Sequence, residues 1–156
     1  MMADQLFFED FEEGQRFPSP SKTITDAHFL AFAALTGDNH PIHYDLEYCR
    51  AHGWPERLAH GLLCLAQTVL GASELAHKVH ESRAVFLEQS SKFLLPVFIG
   101  DTLYPAMTVA STEPKRSAGV VRMRVELHNQ RKELVLEGEH VYLIRRRNPL
   151  PKNSPA

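Results

Sequence analysis

Cysteine is scarce in this chain: 156 residues contain only Cys49 and Cys64, with no metal-type spacing. That excludes a disulfide framework or a multi-cysteine zinc site and fits two reduced thiols, Cys64 inside an apolar run as a core residue. Charge of one sign is equally lacking. Seventeen Lys and Arg stand against 19 Asp and Glu, a formal net charge of -2, so nothing points to nucleic acid or an anionic membrane as partner. The longest apolar run, Gly61 to Ala66, stops at Gln67, far short of the roughly 20 residues that cross a bilayer. No repeat, low-complexity tract or internal linker interrupts the sequence. Met1 to Asp10 lacks the basic start and apolar stretch of a signal peptide, so the expected location is cytoplasmic.

What is present suits a globular protein: 44% hydrophobic and 23% charged residues, in a length fitting one domain with its own core. The expected domain covers residues 1–147. Residues 148–156 carry three prolines and no apolar period, and read as a flexible tail. Lys22 to Thr25 reads as a short edge strand. Thr25 or Asp26 can cap a helix that places Phe29, Phe32 and Ala33 on one side and stops at Gly37. Asp45 can cap a short helix over Leu46 to Arg50. Gly61 to Ala76 is the longest helical candidate, apolar nearly all round, and so is expected in the middle of the domain.

From Ala84 the period changes to two. Val85, Leu87, Gln89, Ser91, Phe93 and Leu95 should share one face of a strand. Further strands follow over Leu103 to Ser111, through Val121, Met123, Val125 and Leu127, and from Leu134 to Arg145, with turns at Gly100-Asp101, Lys115 to Ala118 and Asn129 to Lys132. Helices first and an antiparallel meander afterwards give an α+β domain, with the sheet wrapped around the apolar helix.

Chemistry concentrates in Gly37-Asp38-Asn39-His40-Pro41-Ile42-His43. A carboxylate and an imidazole five residues apart, stiffened by Pro41 in a stretch expected to be irregular, can exchange protons near neutral pH. Nine histidines raise the question of a metal. Pro41 between His40 and His43 argues against a helical ligand pair, and no further cluster has zinc spacing, so no metal is expected.

Three stretches together resemble the MaoC-like dehydratases and (R)-specific enoyl-CoA hydratases. They are Phe32 to His43, Leu58-Ala59-His60-Gly61-Leu62-Leu63, and Phe86 to Asp101 with its Pro96-Val97-Phe98-Ile99-Gly100-Asp101 turn. Three segments in the right order are far more specific than one motif, and the likeness runs from about residue 10 to about residue 146. It implies a hot-dog fold, a long central helix wrapped by an antiparallel β-sheet, and a homodimer with acyl pockets at the subunit interface. The family usually has Asn directly before the proline; here His40 stands there and the Asn is Asn39.

The resemblance also implies an activity: reversible, (R)-specific addition of water to a trans-2-enoyl thioester of coenzyme A or acyl carrier protein, with no cofactor. Asp38 would act as main base and His43 as its water-orienting acid–base partner. The Gly61 backbone N–H would meet the thioester oxygen, as a helix N-terminus favours. Asn39, His40, His60, Gln89 and Ser91 are the candidate substrate-binding residues. A hot-dog acyl-CoA thioesterase is the first alternative. It commonly keeps its carboxylate on or near the central helix, where this chain has only Glu74, near the far end. A non-catalytic acyl-thioester binding protein is the second.

Overall fold

The computed structural model describes residues 4–151. Its elements, in chain order, are β1 (Arg16–Pro18), β2 (Lys22–Thr23), α1 (Asp26–Thr36), α2 (Pro41–Tyr44), α3 (Leu46–Ala51), α4 (Gly61–Ala66), α5 (Leu75–Lys78), β3 (Val85–Phe93), β4 (Thr102–Pro114), β5 (Ala118–His128) and β6 (Leu134–Arg145). Short 3-10 turns lie at Phe8–Asp10 and Leu70–Ala72. The six strands form one antiparallel sheet in the order β1-β4-β5-β6-β3, with β2 beside β4. This is an α+β hot-dog architecture.

The sheet owes its inner face to alternation. Val121, Met123, Val125 and Leu127 are all buried, as period two dictates for a strand packed on one side. They divide between two apolar clusters. One joins Phe8, Phe11, Leu75 and Val79 to the middle of the sheet. The other packs Ile24, Phe29, Leu63 and Cys64 against Leu103, Leu127 and Leu136. α1 begins at Thr25 through a capping box with His28 and ends at Gly37, whose φ of 76° is the left-handed conformation that terminates helices. Asp45 caps α3 by accepting the Tyr48 N–H.

Three local features differ from the sequence reading. The single helix expected over Gly61 to Ala76 is broken: α4 ends at Ala66, a 3-10 turn follows, and α5 starts at Leu75. Thr68 and the buried His140 explain the break. Thr68 Oγ1 donates to Leu65 O at 2.7 Å and lies 3.5 Å from His140 Nε2, while His140 Nδ1 is 3.3 Å from the Tyr142 hydroxyl. Polar tethering to β6 thus replaces the helical ladder where apolar periodicity alone would continue it. Nor is the segment buried all round, since Leu62 is 62% exposed.

The second difference is a bulge in β3 between Phe86 and Glu88. It puts Phe86, not Val85, on the face shared by Gln89, Ser91 and Phe93, opposite Tyr142, His140, Gly138 and Leu136 of β6. Leu95 lies beyond the strand's end. Third, the stretch between Asp38 and His43 is not wholly irregular, because Pro41–Tyr44 forms one helical turn. Proline suits the first helical position, where an N–H would have no acceptor.

The basic run near the carboxy terminus ties back to the amino-terminal segment. Arg147 pairs with Asp10 at 2.6 Å and Arg146 with Glu9 at 3.3 Å. Leu150 N–H still donates to Arg116 O, so the start of the expected tail is anchored; its residues 152–156 lie outside the described residues. Among the described residues no helix is long and apolar enough to cross a membrane.

Candidate active site

The site is built on α2. His43 Nδ1 donates to Leu58 O at 2.7 Å. That bond places a proton on Nδ1, so in the neutral ring Nε2 is the acceptor. Nε2 lies 3.8 Å from Asp38 Oδ2, too far for a direct hydrogen bond and close enough for one water to bond to both. Asp38 is half exposed while His43 is largely covered, so solvent reaches the pair from the carboxylate side. The loop is held locally: Asp38 N–H donates to Thr36 Oγ1, and Asn39 Nδ2 donates to Gly37 O.

His60 occupies the centre of the cluster. Its ring stacks on His43 with centroids 3.7 Å apart and is enclosed by Phe29, Phe32 and Tyr44. Only 2% of His60 is exposed. Burial, and then the neighbouring His43, hold its pKa below the ordinary imidazole value. Nε2 donating to Asp38 O (3.3 Å) leaves the buried, unpartnered Nδ1 as a lone pair rather than an orphan N–H. The Tyr44 hydroxyl donates to Phe29 O at 3.0 Å and also lies 3.1 Å from His60 Nε2. Burial and then the Asp38 charge push its pKa up, so it stays a neutral donor.

Gly61 follows His60 as the first residue of α4. The first amide returned to the helix is Cys64 N–H to His60 O, so the preceding N–H groups have no intrahelical acceptor. A hollow of about 290 Å³ adjoins this helix start, bounded by Trp54, Leu58, Gly61, Cys64 and Phe93. A Cβ on Gly61 would stand 3.2 Å from the Phe93 ring.

The structure therefore gathers Asp38, His43 and His60, with Gly61 next in the chain. One ligand-type atom from each of the three lies within 4.8 Å of the others. The His43 and His60 rings are stacked, with their planes 23° apart. Asn39 and His40 belong to the loop and the cap of α2. Gln89 and Ser91 make no contact with the cluster: they sit on β3 opposite His140 and Gly138, Gln89 with a buried unpartnered Nε2 and Ser91 beside a separate hollow with Arg124 and Glu137. Sequence reasoning missed Tyr44. Its only signal was adjacency to His43, since the contacts that make it part of the site come from α1 and α4.

A curved antiparallel sheet over a helix that opens at a His-Gly pair, beside an Asp–His pair on a one-turn helix, defines a hot-dog protein equipped for acid–base chemistry. The model of the MaoC like domain matches residues 10–130. The chain is 32% identical over 149 residues to an (R)-specific enoyl-CoA hydratase from Rhodospirillum rubrum, covering 92% of this chain and 97% of that protein. It is 32% identical over 136 residues to a 3-hydroxybutyryl-CoA dehydratase from Methylorubrum extorquens, covering 86% and 81% respectively. Among solved structures, a protein described as the monoamine oxidase regulatory protein from Archaeoglobus fulgius superimposes with a TM-score of 0.85 at 30% identity, over 95% of this chain and 99% of that one. The chain belongs to the MaoC-like dehydratase family, and with it to the hydro-lyase enzymes.

Proposed function

We propose that this protein catalyses the reversible, (R)-specific hydration of a trans-2-enoyl thioester carried on coenzyme A or acyl carrier protein. The observation that carries this reading is Nε2 of His43 facing Asp38 Oδ2 across 3.8 Å, with Nδ1 pinned to Leu58 O. A water between the two adds its oxygen to C3 as Asp38 takes a proton, and C2 receives a proton through the same pair. Dehydration reverses each step. The neutral, stacked His60 ring keeps a second cation away when His43 carries the proton. Negative charge growing on the thioester oxygen meets the Gly61 N–H at the helix start. No cofactor is needed for these steps. A thioesterase commonly keeps its carboxylate on the central helix, and the acidic residue of that segment, Glu74, is exposed beyond the break.

The active form is a cytoplasmic homodimer. β3 is an edge strand paired only with β6, and Leu87, Phe93, Leu94 and Leu95 are exposed along it and just beyond. A nine-residue edge strand with exposed apolar residues at both ends invites pairing with a second copy. Light scattering at micromolar concentration should give a dimer or a multiple of it; a monodisperse monomer refutes this assembly.

The reaction is tested with crotonyl-CoA and a longer 2-enoyl-CoA, following the enoyl-thioester absorbance and free thiol in parallel. Loss of the enoyl signal without thiol release is the expected result. Asp38→Asn and His43→Ala should each lose two or more orders of magnitude, roughly the cost of removing a positioned acid–base group. Folded variants with undiminished turnover refute the assignment.

A further inference from the structure

His40 replaces the Asn usual in the family, and the structure gives its ring a definite task. Nδ1 accepts the Ile42 N–H at 3.2 Å, which makes His40 the N-cap of α2. Asn side chains do the same at other helices. Pro41 has no N–H to satisfy, so the Ile42 amide is the first donor of the turn. His40 O also accepts the His43 N–H at 3.0 Å. One residue thus holds the four-residue turn that carries His43, by its ring at one position and its carbonyl at the next.

The imidazole can cap only while neutral. Protonation converts Nδ1 into a donor facing another donor, the Ile42 N–H. An Asn oxygen accepts that bond at any moderate pH. The titratable groups around the ring are Asp38 in the preceding loop, whose Oδ1 receives the His40 backbone N–H at 3.4 Å, and Tyr48 from α3, with His52 stacked behind it.

We infer that His40 is a positioning residue for His43, and that its neutral cap makes the site pH-sensitive where an Asn cap would not. Its kinetic consequence rests on the hydratase reading; its structural consequence rests on α2 alone. The experiment compares the parent with His40→Asn and His40→Ala. At about pH 8, kcat of His40→Ala should fall about fivefold below that of His40→Asn, the scale of one lost cap. On lowering the pH to about 5.5, the ratio of parent to His40→Asn kcat should fall about fivefold. The backbone amide resonance of Ile42 should move in step with the His40 ring in the parent, beyond any movement it shows in His40→Asn.

A pH-independent ratio together with an Ile42 resonance indifferent to His40 overturns the inference. If the parent hydrates no enoyl thioester, the proposed reaction fails, and the Ile42 resonance still decides whether the cap titrates. If His40→Ala does not fold, the parent and His40→Asn decide the question between them.

Discussion

Gly61→Ala separates the backbone role of the helix start from its packing role. The added Cβ would lie 3.2 and 3.3 Å from two atoms of the Phe93 ring. That ring is about half exposed and can give way by a few tenths of an ångström, at a cost below about 1 kcal/mol. Gly to Ala within a helix returns up to about 1 kcal/mol. Stability should therefore stay within about 1 kcal/mol of the parent, read as a denaturant midpoint. In the proposed reaction, however, the methyl group stands where the thioester approaches the Gly61 N–H. Displacing the reacting oxygen by about 1 Å and weakening its donor should lower kcat/KM about 100-fold with crotonyl-CoA. Adding Phe93→Ala should relieve the ring contact without restoring turnover. Gly138→Ala is the contrasting case: its Cβ would fall 2.1 Å from the Ser90 backbone oxygen. Backbone cannot yield as a ring does, so β3 must shift and stability should drop by about 2–4 kcal/mol. A Gly61→Ala protein with parental kcat/KM and parental midpoint refutes the role given to the Gly61 amide.

Two further outcomes follow from buried groups. Burial depresses the pKa of His140 to about 4; the unfolded chain therefore binds the extra proton first, and this group's contribution to stability falls as pH drops from about 6.5 toward 4. Denaturation midpoints measured between pH 7 and 4.5 should show that loss, on the order of 2 kcal/mol, and His140→Leu should flatten it. Burial also raises the Cys64 thiol to about 12, and both cysteines are buried, so a chromogenic thiol reagent should react with them only on unfolding; prompt labelling of two thiols in native buffer contradicts this packing.

Much of the fold was legible wherever one short-range rule acted alone. Alternation located β5, and the caps at Gly37 and Asp45 fell where residue chemistry puts them. The Asp38–His43 pair stood out because both residue types carry protons. Tertiary effects were not legible. The apolar pattern runs on through Val69, and the helix breaks there because Thr68 meets His140 from a strand some 70 positions later. The bulge at Leu87 leaves no trace in the alternation, yet it exchanges the faces of Val85 and Phe86. His60 read as a candidate substrate-binding residue before a helix; only the approach of α1 and α2 makes it the enclosed ring beneath His43.

Leu58 ties these parts together. Its carbonyl receives His43 Nδ1, its amide donates to Ile42 O, and it bridges to Phe98. Three residues later the same strand of backbone delivers the Gly61 amide. The two halves that the proposed reaction uses, the His43 ring and the Gly61 amide, are thus bolted to one short mount, while the aromatic and aliphatic surfaces at Phe93, Leu94 and Leu95 belong to a different part of the chain. On the proposed reading, those walls can be recut for longer, shorter or branched acyl groups without altering the spacing between His43 and Asp38.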